Sequence, residues 1–152
     1  MIQDLSFEQF TKPRFYVSGK SVFVDKYRDY KIIKEFWQDF RYRELQNEVY
    51  GIENNQIYVV YHNYDHENSY QMLVGFVTRE YTTQKDPNIV TIEIPEQNYM
   101  AATVPNDGPS TVIDTWEAIS HKSYHDLPRL MKFDLEIYSE DMKNITMAVG
   151  VR

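Results

Sequence analysis

The sequence contains no cysteine. That excludes a disulfide framework, a thiol nucleophile and a thiolate metal site. Glycine is scarce, at 5 in 152 residues, and no phosphate-cradling glycine loop, dinucleotide fingerprint or nucleophile elbow is present. No apolar run approaches membrane-spanning length. The opening Met1-Ile2-Gln3-Asp4-Leu5 lacks the basic start and apolar segment of a signal peptide. These absences predict a cytoplasmic chain with no membrane partner.

Clustered positive charge is missing as well. The strongest basic stretch, Arg41-Tyr42-Arg43, runs straight into Glu44, and the net charge is −7. A nucleic-acid groove needs a stripe of Lys and Arg, so no direct nucleic-acid binding is expected. A negative field mildly favours cationic ligands, although much of this charge serves solubility. Aromatic residues, by contrast, are abundant: 13 Tyr, 8 Phe and 2 Trp. A thick core accounts for the Phe; Tyr suits a cavity that is apolar yet carries hydroxyls. Length, 42% hydrophobic content and 26% charge are those of one ordinary globular domain, 1–152.

After an N-terminal lead, residues 15–24 read as a strand, with Gly19 suggesting a bulge or bend. Ile32, Ile33, Phe36, Trp37 and Phe40 share a helix face, which predicts a helix from about Asp29 to near Leu45. Strands follow at 56–62 and 70–78, separated by a polar loop. Residues 84–88 form a linker, after which the order repeats. Residues 90–94 and 99–104 are extended, with Pro95 between them at an edge or bend. Asn106-Asp107-Gly108-Pro109 is a turn, and Ser110 or Thr111 is placed to cap a helix carrying Val112, Ile113, Trp116 and Ile119. A loop from His121 to Arg129 leads to strands at 133–138 and 145–151.

The halves superpose as sequences. Ile33, Trp37 and Phe40 are spaced as Val112, Trp116 and Ile119, and Val74-Gly75-Phe76 matches Val149-Gly150-Val151. Such agreement in one order points to duplication, with pseudo-repeats at about 12–80 and 89–152. The expected fold is α+β: a duplicated strand–helix–strand–strand unit forming an eight-stranded, largely antiparallel sheet, two main helices and a pseudo-twofold axis. A seam between such halves is a favoured place for a pocket.

In Phe133-Asp134-Leu135-Glu136-Ile137-Tyr138, alternation puts the apolar residues on one face and Asp134, Glu136 and Tyr138 on the other. If the first face packs on the helices, the second is either solvated or lines a cavity floored by a carboxylate. Glu136 aligns internally with Val59, so only one half would supply that charge. Trp37 reads as core, whereas Trp116, on a shorter apolar stripe, could reach the seam. The pairs His62/His66 and His121/His125 are spaced four apart but straddle loops, so no metal site and no cofactor is expected. No serine triad spacing is present either.

Taken together, Thr91-Ile92-Glu93-Ile94-Pro95, Tyr99-Met100-Ala101-Ala102, a glycine turn at Gly108, Trp116 and Leu135-Glu136-Ile137-Tyr138 resemble the GyrI-like small-molecule-binding domain. This is also the effector-binding domain of AraC-type and MerR-type multidrug regulators. Lys12-Pro13 followed by Val17-Ser18-Gly19 resembles the family's opening strand, while Val149-Gly150-Val151 departs from the proline of many members. The resemblance implies an aromatic pocket between the halves, with an acidic residue for lipophilic cations. Carried over, that residue is Glu136, with Tyr138, Trp116 and Tyr99 around it, and Phe15, Tyr61 and Phe76 by position in the repeat.

The family also holds standalone hydrolases of strained electrophiles and gyrase-inhibiting members. No helix-turn-helix pattern precedes the domain, so transcription regulation would need a separate DNA-reading partner. Expected first is binding of a small lipophilic, cationic ligand, for sensing or sequestration. Second comes hydrolysis with Glu136 as general acid or base, and third a protein-interaction module. A homodimer is left open.

Overall fold

The structure, a computed structural model, describes residues 5–65, 67, 69–79 and 82–152. One antiparallel sheet of eight strands runs through it, in the order β1-β6-β8-β7-β3-β4-β2-β5. The strands are β1 (Glu8–Lys12), β2 (Phe15–Val24), β3 (Ile57–His62), β4 (Tyr70–Thr78), β5 (Val90–Ile94), β6 (Gln97–Pro105), β7 (Arg129–Tyr138) and β8 (Asn144–Val151). The helices are α1 (Asp29–Asp39), α2 (Tyr42–Glu48) and α3 (Pro109–Ser120), with a 3-10 turn before α1. No helix among the described residues is long and apolar enough to cross a membrane.

The α+β class and the eight-stranded antiparallel sheet are as the alternation of the sequence predicts, with one strand from an unexpected place. The eighth is β1, inside the N-terminal lead, where the short, half-exposed segment Glu-Gln-Phe-Thr-Lys carries too little apolar alternation to read as a strand. β1 pairs with β6, and β5 pairs with β2, so each half is edged by a strand from the other side of its sequence boundary. Equating β2, β3, β4 and β5 with β6, β7, β8 and β1 makes the sheet order a palindrome centred on the β3–β7 pair. That order is consistent with duplication.

The chain crosses from β1 to β2 through Pro13 and Arg14 alone, a span of about 10 Å at most. Strands at nearly opposite ends of the sheet are thereby held together, and the sheet must coil until one face closes on itself. Alternation then yields two cores. Val59, Met72, Val74, Phe76, Tyr138, Met147 and Val149 lie under the helices. Phe15, Val17, Tyr58, Val60, Leu73, Tyr99 and Leu135 fill the other face.

Three local expectations are corrected. The single helix expected from Asp29 to Leu45 breaks at Phe40, whose backbone is extended, and the Arg41 guanidinium donates to the carbonyls of Gln38 and Phe40 at the freed helix end. Neither Ser110 nor Thr111 caps α3. Gly108 holds the N-cap at φ 109° with Pro109 inside the first turn.

Gly19 makes no bulge: the β2–β4 ladder runs in register through the Gly19–Gly75 pair. The glycines permit a close backbone approach, for a Cβ at Gly19 would stand 2.0 Å from the Val74 carbonyl oxygen. Gly19→Ala is expected to cost about 1–3 kcal/mol of unfolding free energy, read as a lower urea midpoint. An unchanged midpoint would refute the close-packing account.

A buried carboxylate in an aromatic cage

Both acidic residues of β7 are buried: Asp134 at 0% exposure and Glu136 at 1%. The conditional assignment of faces is inverted. Phe133, Leu135 and Ile137 pack in the second core, and the face bearing Asp134, Glu136 and Tyr138 looks at the helices. A solvated role for the two carboxylates is therefore excluded.

Asp134 has a built-in counter-ion. The Arg129 guanidinium donates to its Oδ2 at 2.8 Å, the Tyr64 hydroxyl donates to the same oxygen at 2.5 Å, and the Gly150 N–H donates to Oδ1 at 2.9 Å. Glu136 does not. Its Oε2 accepts from the Trp116 indole N–H at 2.6 Å and from the Tyr61 hydroxyl, and its Oε1 accepts from the Tyr138 hydroxyl at 3.0 Å. Every donor is neutral. Burial pushes the Glu136 carboxyl above its ordinary value, and the three hydrogen bonds pull it only part of the way back. The tyrosines answer in kind: burial, reinforced by the neighbouring carboxylate, raises Tyr61 and Tyr138 and keeps both protonated as donors.

The arrangement is consistent with a duplicated unit. Val59 and Glu136 face each other in the β3–β7 ladder, and the alignment that equates them also equates Tyr61 with Tyr138. A twofold relating the halves, with which the sheet order is consistent, would pass through the Val59–Glu136 pair. The two equivalent tyrosines thus reach one carboxylate from either side, one to each oxygen.

Rings surround this centre. Tyr61 packs edge-on against Trp116 at 5.4 Å and Tyr70 at 5.5 Å, and Tyr70 lies 5.8 Å from Tyr64. On the other flank Trp37 of α1 stands 6.5 Å from Tyr138 and packs on Phe36 and Phe40. Trp37, read from the sequence as core, is half-buried, and α1 has no fully buried residue. Phe76 is buried on the same sheet face. Rings occupy the space over Glu136. A surface cleft of about 590 Å³ lies elsewhere, between Leu5, Ala102–Pro105 and the start of α3.

Of the residues singled out in the sequence, Glu136, Tyr138, Trp116 and Tyr61 meet in hydrogen bonds. Phe15 and Tyr99 do not join them. Strand parity sends both to the second core, against Tyr58 and Phe10 respectively. Tyr70, Tyr64 and Arg129 were missed, because loop and strand-start residues give no periodic signal. Among the described residues no group of three or more His, Asp or Glu could hold a metal. His66 falls outside them, and His62 stacks on Phe133 in the second core.

A model of the Cass2 family, integron-associated effector-binding proteins, matches residues 10–151. The chain belongs to that family. Effector binding, the taking up of a small molecule, is accordingly its coarse function, and the GyrI-like resemblance of the sequence fits it. No curated protein matches the sequence of this effector-binding protein. Its fold is shared with an integron cassette protein from the mobile metagenome of Vibrio cholerae: 17% identity, 96% of this chain and 95% of that one, TM-score 0.70. SAV2435 bound to tetraphenylphosphonium is similar over 97% of this chain and 94% of that one, at 10% identity and TM-score 0.73. The C-terminal domain of EcmrR is similar over 97% of this chain and 98% of that one, at 14% identity and TM-score 0.60.

The contrast between the carboxylates has measurable consequences. Asp134→Asn should destabilise by about 3 kcal/mol, since it strands the Arg129 guanidinium. With its folded value raised, Glu136 holds its proton more tightly in the native than in the unfolded chain. Native stability from this group is therefore present below the ordinary value of 4.5 and lost as pH rises through the raised one. Wild type should fall in stability relative to Glu136→Gln across that window, as read by urea midpoints from pH 4 to 8. A difference that stays flat would mean the carboxyl is not perturbed.

Proposed function

We propose that the chain binds small lipophilic cations in the aromatic cage over Glu136. The observation that carries this reading is a fully buried carboxylate with three neutral donors and, among the described residues, no cation, two residues from one that has its own arginine. A buried anion without a partner is costly. A ligand bringing positive charge supplies what the fold leaves out, and neutral donors hold the carboxylate ready without competing for its charge. Tyrosine and tryptophan faces add about 0.5–2 kcal/mol each by cation–π attraction. Most of the affinity comes from apolar ligand surface, at about 25 cal/mol per Å² before ordering costs.

Family membership and the lipophilic cation seen in SAV2435 support this reading. Because rings fill the space over Glu136, admission of a ligand requires the half-buried side chains of α1 and α3, chiefly Trp37 and Trp116, to turn aside. In this reading the protein senses or sequesters its ligand in the cytoplasm, with no nucleic-acid or membrane partner of its own. Hydrolysis of a strained electrophile is the second reading, favoured by the raised carboxyl of Glu136 beside two phenols. Substrate consumption over hours by micromolar protein separates it from binding alone.

Tetraphenylphosphonium, a permanent cation, is the probe of choice. Glu136→Gln should weaken it at least about tenfold, equivalent to about 1.4 kcal/mol. Wild-type affinity should fall as pH drops through the raised value of Glu136, because protonation removes the charge the ligand needs, whereas the Gln variant should show no such fall. Equal affinity of the two proteins at pH 8 would sink the role of the carboxylate.

A further inference from the structure

On the opposite sheet face the electrostatic problem is reversed. Lys12, at the end of β1, holds its ammonium 4.5 Å from the centre of the Phe15 ring and 5.9 Å from that of Tyr58. Among the described residues no carboxylate lies within salt-bridge distance of it. Tyr99, fully buried, has a hydroxyl with no hydrogen-bond partner, and it lies in the field of the Tyr58 hydroxyl. Tyr58 is 4% exposed, but its hydroxyl, unlike that of Tyr99, is not an enclosed atom left without a partner. Phe10 stacks on Tyr99 at 5.3 Å, and Phe15 meets Tyr58 edge-on at 5.9 Å.

One enclosed donor, the Tyr99 hydroxyl, thus lacks an acceptor, with a second phenol and a half-buried ammonium near it among rings. Native interiors pair their buried polar groups, so an unpaired one points to a partner from outside. Burial, then the field of Glu53, pushes Tyr58 up to about 12; burial, then Asp134, raises Tyr99. Both remain protonated at neutral pH and can only gain by donating. Two carboxylates oppose an anion here. Glu53, whose field also reaches the Lys12 ammonium, is exposed and screened by solvent. Asp134 is paired with Arg129.

We propose that Lys12, Tyr58 and Tyr99 form a second ligand site, which takes the carboxylate of a small aromatic or aliphatic acid. One ammonium balances one negative charge. A phosphate dianion would bring a second charge towards Glu53 and Asp134, so a monoanion fits better. The phenol hydroxyls would donate to the carboxylate oxygens, and Phe10 and Phe15 would cover the apolar body of the acid. Glu136 takes no part, so the site is independent of the cation reading.

Benzoate is the probe, followed by calorimetry and by NMR shifts of the Tyr58 and Tyr99 rings in the full chain, with inorganic phosphate as the second arm. Saturable benzoate binding is expected, weakened about tenfold by Lys12→Met and severalfold by Tyr99→Phe, with phosphate weaker throughout. Tyr99→Phe deletes only an unpaired hydroxyl, so it should melt no lower than wild type and serves as the decisive variant if Lys12→Met folds poorly. Neither change should alter tetraphenylphosphonium affinity. If benzoate binding follows Tyr99 while tetraphenylphosphonium does not bind at all, the carboxylate site stands and the cation reading falls. Benzoate affinity equal in wild type and Tyr99→Phe, no saturable shift in wild type, or phosphate binding tighter than benzoate would each overturn the proposal.

Discussion

A carboxylate removed from water, with no cation beside it among the described residues, is the constraint on which the organisation of the helix face depends. Left bare, such a group would protonate or unfold its surroundings. Here three neutral donors hold it, and each comes from a different element: Tyr61 from β3, Trp116 from α3 and Tyr138 from β7 itself. Each donor is also a ring. The groups that make the charge tolerable are therefore the groups that make the cage apolar. Aliphatic donors could satisfy the oxygens but would leave no π-face for a ligand. Two of the tyrosines of this chain, Tyr61 and Tyr138, have their physical explanation at that point.

The near-symmetry of the sheet sharpens the same point. If the halves are taken as duplicates, corresponding strands bring Tyr61 and Tyr138 to the β3–β7 seam, yet the pair at its centre is valine from one half and glutamate from the other. Two glutamates facing each other there would share one low-dielectric spot, and neither could ionise without expelling the other's charge. Two valines would leave the paired hydroxyls without an acceptor. One charge at the centre, flanked by duplicated donors, is the arrangement that satisfies both limits.

Much of this was legible in the sequence. Period-two alternation located seven strands, and helical spacing located the apolar faces of α1 and α3. Parity along β7 put Asp134, Glu136 and Tyr138 together. What parity could not decide was which side they faced, because the coiled sheet buries both of its sides and the usual contrast of apolar against solvated faces disappears. Tyr99, carried over by the family resemblance, and Phe15, by its position in the repeat, lie on the other face, and an aromatic residue on a doubly buried strand gives no sign of its side. The break at Phe40 was hidden because Arg41 seals the helix end through backbone carbonyls, a contact that spacing does not reveal. β1 escaped notice because an edge strand of five residues needs little apolar content.

Asp134 and Glu136 show why burial alone does not identify a ligand site. They share a strand, a face and nearly zero exposure. Arg129 reaches Asp134 only because the β7–β8 register is interrupted between Arg129 and Asp134, which lets the guanidinium fold back along its own strand. Past that irregularity the ladder is regular, and nothing can fold back onto Glu136 in the same way. One carboxylate is thus completed within the chain and the other is left complete in hydrogen bonds but incomplete in charge. That distinction, between a satisfied acceptor and a neutralised anion, is the one on which the proposed cation site rests.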